Sequence, residues 1–330
     1  MRSWGDPLDP WVPLAIGLGA LAIDLVLGEP PSRLHPVVWM GRLTGFLDSR
    51  IARGKGDLLA GALMAMAVVL SFALLSSLIG LFRPLHLSIW GLVCAAGLKT
   101  TFALRALGGS VVPMGRALEE GDLDAARERA AMLVSRDVRE LDQGHLTSCA
   151  VETVSENMVD SLISPWLFMG VGGLPAAMAY RAVNTLDAMV GYRSERHSRV
   201  GWFSARADDL LNLIPARLSL PFILMALRIR GGDWRAGWRA ARGQHARTAS
   251  PNKGWPMAAL AGGMGIRMEK EGHYSLGEGD LPLPGDIVEC FKVVRTTALL
   301  FFFLFALPLF VVVGMGTQLL IEDLLLEMIS

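Results

Sequence analysis

The acidic and amide residues of the chain fall into groups, and the densest is Glu152-Thr-Val-Ser-Glu156-Asn157-Met-Val-Asp160. On a helix, Glu152, Glu156 and Asp160 stand four residues apart and form one carboxylate stripe. Like charges at that spacing repel, so the stripe is either a solvated face or one that a cation or basic group must cover. It runs directly into the apolar segment Ser161–Tyr180, and carboxylates at a membrane entry are costly enough to point to function. Two further groups have the same character: Asn184-Thr-Leu-Asp187 and Asp208-Asp209-Leu-Leu-Asn212. Either alone reads equally as helix capping. Together, at the borders of interrupted apolar segments, these hard oxygen ligands suit Mg²⁺ bound with a phosphate. The candidate metal ligands are therefore Glu156, Asp160, Asp187, Asp208, Asp209 and Asn212.

Two other stretches offer anion contacts. The first opens at Asp24 and continues Gly28-Glu29-Pro30, Arg33-Leu-His35-Pro36 and Met40-Gly41-Arg42. Its three prolines forbid a continuous helix, which makes it a shaped turn at the membrane surface. His35 is either a hydrogen-bonded interface residue or, with Arg33, a phosphate or carboxylate contact. Asp24 lies inside an apolar run and needs a partner, for which Arg33 and Arg42 are the nearest bases in sequence. The second is Ser250-Pro-Asn252-Lys253-Gly254-Trp-Pro256, where Gly254 would let backbone approach a ligand. A helix starting near Pro256 would aim its N-terminus at that turn, with Lys253 beside it, though a purely structural loop explains the same residues. No Walker phosphate loop, G-x-G-x-x-G, H-E-x-x-H or G-x-S-x-G motif is present.

The elements that must carry these residues are apolar. Of 330 residues, 52% are hydrophobic and 19% charged, and the mean hydropathy is +0.42. That is further toward a membrane protein than the usual soluble composition of about 45–50% apolar and about 25% charged. With 31 basic and 31 acidic residues there is no net charge and no basic footprint for nucleic acid. The expected fold is all-α, a polytopic integral membrane helical protein forming a single embedded domain over 1–330. Spans are expected near 11–28, 58–82, 85–104 and 296–320, the third carrying only Lys99. Segments 161–180 and 210–227, interrupted by glycine and proline, are expected to be broken or re-entrant, which membranes tolerate only around protein or a wet cavity. Between 105 and 160 a cytoplasmic helical region is expected, including a helix over Leu123–Leu141, and 231–295 reads as a cytoplasmic loop region with short helices. Arg33, Arg42, Arg50, Arg53 and Lys55 put the first loop on the cytoplasmic side. Re-entrant segments would keep 105–295 there as well. No secretory cleavage site follows the first apolar run, so it reads as a retained anchor. Cys94, Cys149 and Cys290 have neither metal nor disulfide spacing and read as buried small hydrophobes.

In order along the chain, these blocks resemble the adenosylcobinamide-phosphate synthase family of cobalamin biosynthesis. The resemblance rests on Asp24…Gly28-Glu29-Pro30…His35-Pro36…Met40-Gly41, Leu133-Val-Ser-Arg136-Asp137, Glu152-Thr-Val-Ser-Glu156-Asn157…Asp160 and Tyr180-Arg181-Ala-Val-Asn184-Thr-Leu-Asp187. It continues through Asp208-Asp209-Leu-Leu-Asn212…Pro215-Ala-Arg217 and Ser250-Pro-Asn252…Gly254-Trp-Pro256, with Lys253 and Ala188 as mild departures. It implies a multi-pass enzyme of the inner cell membrane with a cytoplasmic active site. The implied reaction joins adenosylcobyric acid to (R)-1-aminopropan-2-ol or its O-phosphate as an amide, with ATP as co-substrate and Mg²⁺. Implied catalytic residues are Glu152, Glu156, Asn157, Asp160, Asn184 and Asp187. Substrate contacts are expected from Asp24, Arg33, His35, Arg136, Arg181, Arg217, Ser250, Asn252, Lys253 and Gly254. Implied partners are the lipid bilayer and other membrane enzymes of the nucleotide-loop pathway. Two competing classes remain: a Mg²⁺-dependent prenyl- or alcohol-phosphotransferase, and a non-enzymatic membrane regulator of the same superfamily.

Overall fold

The computed structural model describes residues 7–51, 57–134, 137–191 and 197–329. Among them, the secondary structure is helical except for one short hairpin. Five helical runs are long and apolar enough to cross a membrane: Asp57–Phe82, Leu87–Glu119, Gln143–Val190, Trp202–Arg230 and Pro284–Ile329. The protein is thus an all-α polytopic membrane protein. The chain gathers into two compact units, one of Met1–Ala103, Ser164–Leu211 and Phe303–Ser330, the other of Leu104–Ile163 and Asn212–Phe302.

The first unit begins with α1 (Trp11–Val26) and α2 (Pro36–Asp48). Pro36 starts α2 because its missing N–H would be unpaired there anyway, and the His35 ring caps the helix by accepting from Val37 N at 3.2 Å. Helix α3 (Asp57–Ser77) has no charge after its first residue and is apolar all round. Leu59, Leu63, Leu70 and Leu74 remain outward-facing, as on a helix solvated by lipid. Helix α4 (Leu87–Lys99) packs on α1, where Gly91 faces Ile16 and Ala95 faces Gly19, and its Trp90, Cys94 and Leu98 are fully buried.

The long α8 (Ser164–Val190) packs on α3 and α9 (Trp202–Leu211), and the short α14 (Leu307–Leu309) and α15 (Met315–Ile329) also lie against it. Helix α8 is broken at Gly172–Gly173, as its glycine content suggested. Gly173 adopts φ 63° and ψ −151°, a conformation essentially limited to glycine. The freed backbone is repaired by α15: Leu174 N donates to Gln318 Oε1 at 3.0 Å. Gln318 Nε2 in turn donates to Glu322 Oε1 at 2.8 Å, and Glu322 Oε2 accepts from Trp90 Nε1 at 3.2 Å. The break is therefore held by a closed chain of buried polar groups.

The second unit holds α5 (Leu104–Glu119), α6 (Leu123–Leu133), α7 (Gln143–Met158), α10 (Leu213–Arg230), α11 (Trp234–Gln244), α12 (Gly254–Met264) and α13 (Pro284–Phe301). The antiparallel hairpin β1 (Met268–Lys270)–β2 (Tyr274–Leu276) completes it. Asp122, Asp142 and Asp233 cap α6, α7 and α11 by accepting from backbone N–H groups of the first turn. At Asp142, backbone and ring donation from His145 outweigh desolvation and hold the carboxyl below its ordinary value.

Three boundaries differ from those expected. The helix expected over Leu123–Leu141 stops at Leu133, because Val134 turns extended and Asp142 caps a separate α7. In 210–227 the interruption falls at Asn212. Pro215 sits in the first turn of α10, where it costs no bond, and Pro221 is accommodated inside a continuous helix. The region 231–295 is more ordered than its composition suggested. Residues Pro256–Ala261 of α12 are buried, and α13 begins at Pro284, where Asp286 accepts from Leu283 N at 2.7 Å.

All three cysteines are free and buried, as expected. Replacing Gly173 by alanine should cost about 1–3 kcal/mol from the backbone alone. The new Cβ would also lie 2.3 Å from Gln318 Oε1. A lowered unfolding temperature of the detergent-solubilised Gly173→Ala protein is expected, and an unchanged one would contradict the proposed repair.

Candidate functional site

The first unit contains a buried charge cluster that only partly matches expectation. Asp24 does not pair with Arg33 or Arg42, both of which are exposed. Its partner is Lys99, whose Nζ lies 2.9 Å from Asp24 Oδ1, 2.7 Å from Glu29 Oε1 and 3.3 Å from the carbonyl of Phe102. Asp24 is 0% and Lys99 1% exposed. Sequence distance misled here: a lone lysine at the end of a span is brought to α1 by helix packing. His35 extends the cluster, with Nε2 2.8 Å from Glu29 Oε2. Because its Nδ1 accepts from Val37 N, the ring proton sits on Nε2 and is donated to Glu29.

Burial alone would raise the Glu29 carboxyl, but hydrogen bonds from His35 and Lys99 outweigh it and hold Glu29 below its ordinary value. The cluster forms one wall of an otherwise apolar cavity of about 700 Å³, with Leu27, Trp39, Phe72, Ile79 and Met178 among its lining.

Also in the first unit, α8 and α9 bring Asn184 to Asp208: Asn184 Nδ2 donates to Asp208 Oδ1 at 3.3 Å, and Asn184 Oδ1 accepts from Arg181 Nη1 at 3.2 Å. Asp208 is buried, while Asp187 and Asp209 are half-buried. Asp187 lies near the end of α8, and its carbonyl accepts from Gly191 N at 2.8 Å.

In the second unit two members of the carboxylate stripe, Glu152 and Glu156, are covered by protein groups. Glu152 Oε1 accepts from Ser148 Oγ at 3.2 Å and Oε2 from Tyr274 OH at 2.9 Å, so this buried carboxylate ties α7 to β2. Ser148 bonds to the backbone of Glu269 on β1 as well. Glu156 is ion-paired with Lys253. Asn157 Nδ2 donates to the carbonyl of Thr153 in its own helix, at 2.9 Å. Asp160 sits in a π-helical turn, Val159–Ile163, a distortion frequent at functional positions.

Around Lys253 the structure gathers Arg217, Asn252 and Trp255. Arg217 Nη1 donates to the Leu213 carbonyl at 2.8 Å and to Asn252 Oδ1 at 3.3 Å, and the guanidinium lies 5.4 Å from the Trp255 ring centroid. Trp255 stacks on His245 at 3.7 Å, and its Nε1 is buried without a hydrogen-bond partner among the described residues. Such an orphaned donor costs free energy unless a ligand or water accepts from it. The neighbouring Ser250 Oγ accepts from Asn252 N at 3.3 Å.

Helix α12 starts at Gly254, slightly earlier than expected. Gly254 itself serves packing: a Cβ there would lie 1.9 Å from the His245 carbonyl oxygen, so the close approach is to protein backbone. His245, Trp255, Tyr274 and Lys99 were not singled out by spacing, since each acquires its role from a distant segment. Arg136 lies outside the described residues.

Among the described residues, no three of His, Cys, Asp and Glu converge as a preformed metal site. Asp208, beside Asn184, supplies one buried carboxylate. That fits an ion arriving on a substrate phosphate, because Mg²⁺ commonly takes one or two protein carboxylates and draws its other ligands from phosphate and water.

Fold and polar clusters define a membrane-embedded protein whose buried carboxylates, amides and cations gather at helix ends and breaks. Residues 17–313 match the family described as CobD/Cbib protein. The probable cobalamin biosynthesis protein CobD of Methanothermobacter thermautotrophicus is 38% identical over 290 residues, covering 87% of this chain and 95% of that protein. Its counterpart in Thermococcus kodakarensis is 42% identical over 276 residues, covering 83% and 88%. The cobalamin biosynthesis protein CobD of Klebsiella pneumoniae is 37% identical over 279 residues, covering 82% and 86%. The chain belongs to the CobD/CbiB family and has a role in cobalamin biosynthesis. No solved structure matches it.

Lys99→Met leaves the buried Asp24 carboxylate, and the more exposed Glu29, without their cation and is expected to destabilise the protein by about 3–5 kcal/mol. The double variant Asp24→Asn/Lys99→Met should recover part of that loss in detergent unfolding. Glu29 also sets a pH dependence. Its lowered carboxyl contributes stability that is fully present above the ordinary value of 4.5 and is lost as pH falls through the lower folded value. Glu29→Gln should therefore flatten the acid limb of the stability–pH curve, and an unaltered limb would rule this contribution out.

Proposed function

We propose that the protein catalyses ATP-dependent formation of an amide between adenosylcobyric acid and (R)-1-aminopropan-2-ol or its O-phosphate. The observation that carries this reading, beyond family membership, is the donor cluster of the second unit. Arg217, Lys253 and the buried Asn252 accompany a buried indole N–H that lacks an acceptor. Such a cluster recognises an acceptor-rich anion, and a phosphate ester meets that requirement.

A free carboxylate does not react with an amine until its oxygen is made a leaving group. In the proposed sequence the corrinoid carboxylate attacks the γ-phosphorus of ATP, forming an acyl phosphate and releasing ADP. The amine then attacks the acyl carbon, the C–O bond to phosphate breaks, inorganic phosphate leaves, and the nitrogen gives up a proton. Mg²⁺ carried on the triphosphate would neutralise charge as the phosphoryl group moves. Asp187 and Asp208, both in the first unit, are the carboxylates proposed to take it. Asn184 orients Asp208 through its 3.3 Å hydrogen bond, which makes it a positioning residue. The proposed location is the inner cell membrane with the reaction on the cytoplasmic face.

Purified protein in detergent, given adenosylcobyric acid, aminopropanol phosphate and MgATP, should yield adenosylcobinamide phosphate. Asp208→Ala should reduce turnover by a factor of about 100 or more. Trp255→Phe keeps the ring on His245 and removes only the N–H, so it should raise KM for the phosphate substrate without lowering the unfolding temperature. Absence of the amide product with wild-type protein, together with turnover of a polyprenyl diphosphate, would overturn the reading.

A further inference from the structure

A second polar recess lies in the same unit, away from the residues that spacing singled out. Helix α11, the C-terminal end of α12 and the turn after β2 enclose a cleft of about 470 Å³. Arg239 and Arg247 line it, together with Gln244, Glu278 and backbone at Gly277 and Gly279. Arg247 is anchored by donation from Nη1 to the Ser275 carbonyl at 3.0 Å, which leaves the rest of its guanidinium fork available.

Gln244 is the informative residue. It is only 6% exposed, and its Oε1 accepts a 2.6 Å hydrogen bond from Gly277 N. That bond fixes which end of the amide is which, so the Nε2 donors belong to the cleft side. They have no acceptor among the described residues. A nine-tenths-buried amide held with unused donors beside two guanidinium groups asks for an acceptor-rich, negatively charged ligand. Glu278 on the same wall would repel a bare phosphate but suits one that brings a divalent cation with it.

We propose that this cleft binds a phosphate-bearing ligand through Gln244, Arg239 and Arg247. In a membrane protein that phosphate has two sources, a soluble nucleotide or the headgroup of an anionic lipid. The assignment to the nucleoside triphosphate rests on the amide-forming reaction proposed above, whereas the phosphate site does not.

The test uses the full-length protein in nanodiscs of zwitterionic lipid, titrated calorimetrically with a non-hydrolysable ATP analogue and Mg²⁺. A parallel arm measures retention of phosphatidylglycerol by native mass spectrometry. Arg239→Gln/Arg247→Gln alters two exposed side chains and should weaken one of these two ligands at least tenfold while the unfolding temperature stays close to that of the wild type. Loss of nucleotide affinity identifies the ligand as the triphosphate, and loss of lipid retention identifies it as a headgroup. If the double variant is destabilised, Arg239→Gln alone serves, since Arg239 makes no hydrogen bond among the described residues. Unchanged affinity for both ligands overturns the proposal. Should wild-type protein make no amide yet bind the nucleotide through these arginines, the reaction falls and the cleft stands. Should the double variant form amide with an unchanged KM for ATP and retain lipid as the wild type does, the cleft falls and the reaction stands.

Discussion

The Lys99 ammonium is the constraint around which the first unit is organised. Withdrawn from water, it needs compensation on every side, which it finds in an ion pair with Asp24 and in hydrogen bonds to Glu29 and the Phe102 carbonyl. Each comes from a different part of the chain: the interior of α1, the turn before α2, and the segment just after α4. Satisfying one cation thus fixes how α1 meets α4 and how the proline-rich turn leaves the membrane. Two carboxylates face one ammonium, and His35 adds a further hydrogen bond to Glu29. The same cluster forms the only charged wall among the residues lining the large apolar cavity beside it.

The helix breaks obey the same rule. Backbone without an intrahelical partner is tolerable at membrane depth only where protein supplies one. At Gly172–Gly173 the supplier is Gln318, which repays the bond it accepts by donating to Glu322. Elsewhere the chain reaches the same end with π-helical turns at Val159–Ile163, Phe302–Ala306 and Phe310–Gly314, which shift helical register without leaving the helix. These interruptions do not mark weakness. They turn side chains such as Asp160 to faces that an uninterrupted α-helix would not present.

How much of this was legible beforehand follows from the range of each interaction. Helical class, the apolar runs and the glycine break in 161–180 depend on near neighbours, and composition and periodicity carry them. Asp122 and Asp142 act within their own first turns, but the separation of α6 from α7 shows that an apolar period can continue across a cap. Long-range pairings were hidden. Asp24 pairs with a lysine far along the chain, and Glu152 meets Tyr274 through a hairpin whose strands are too short to leave a pattern. Gly254 shows a subtler failure: the reading that backbone must come close was sound, but what comes close is the His245 carbonyl. Spacing says that room is needed and is silent on what fills it.

The distribution of unsatisfied donors separates architecture from chemistry. Lys99 and Glu152 are buried, and the contacts around them are made by groups that also hold elements together. Trp255 Nε1 differs, because it belongs to a residue locked in place by other contacts while the donor itself is buried and unused. Gln244 Nε2, on a side chain likewise fixed, has no acceptor among the described residues where it opens to its cleft. Locking a donor without an acceptor has no structural return and costs free energy. It persists where something outside the chain completes the bond. Both donors stand beside arginine, so the missing partner in each case is an anion rather than a neutral carbonyl. The carboxylates drew attention first because like charges on a helix are conspicuous in sequence. The stronger physical indication of ligand binding comes from the opposite set, the fixed donors whose acceptors the protein does not itself provide.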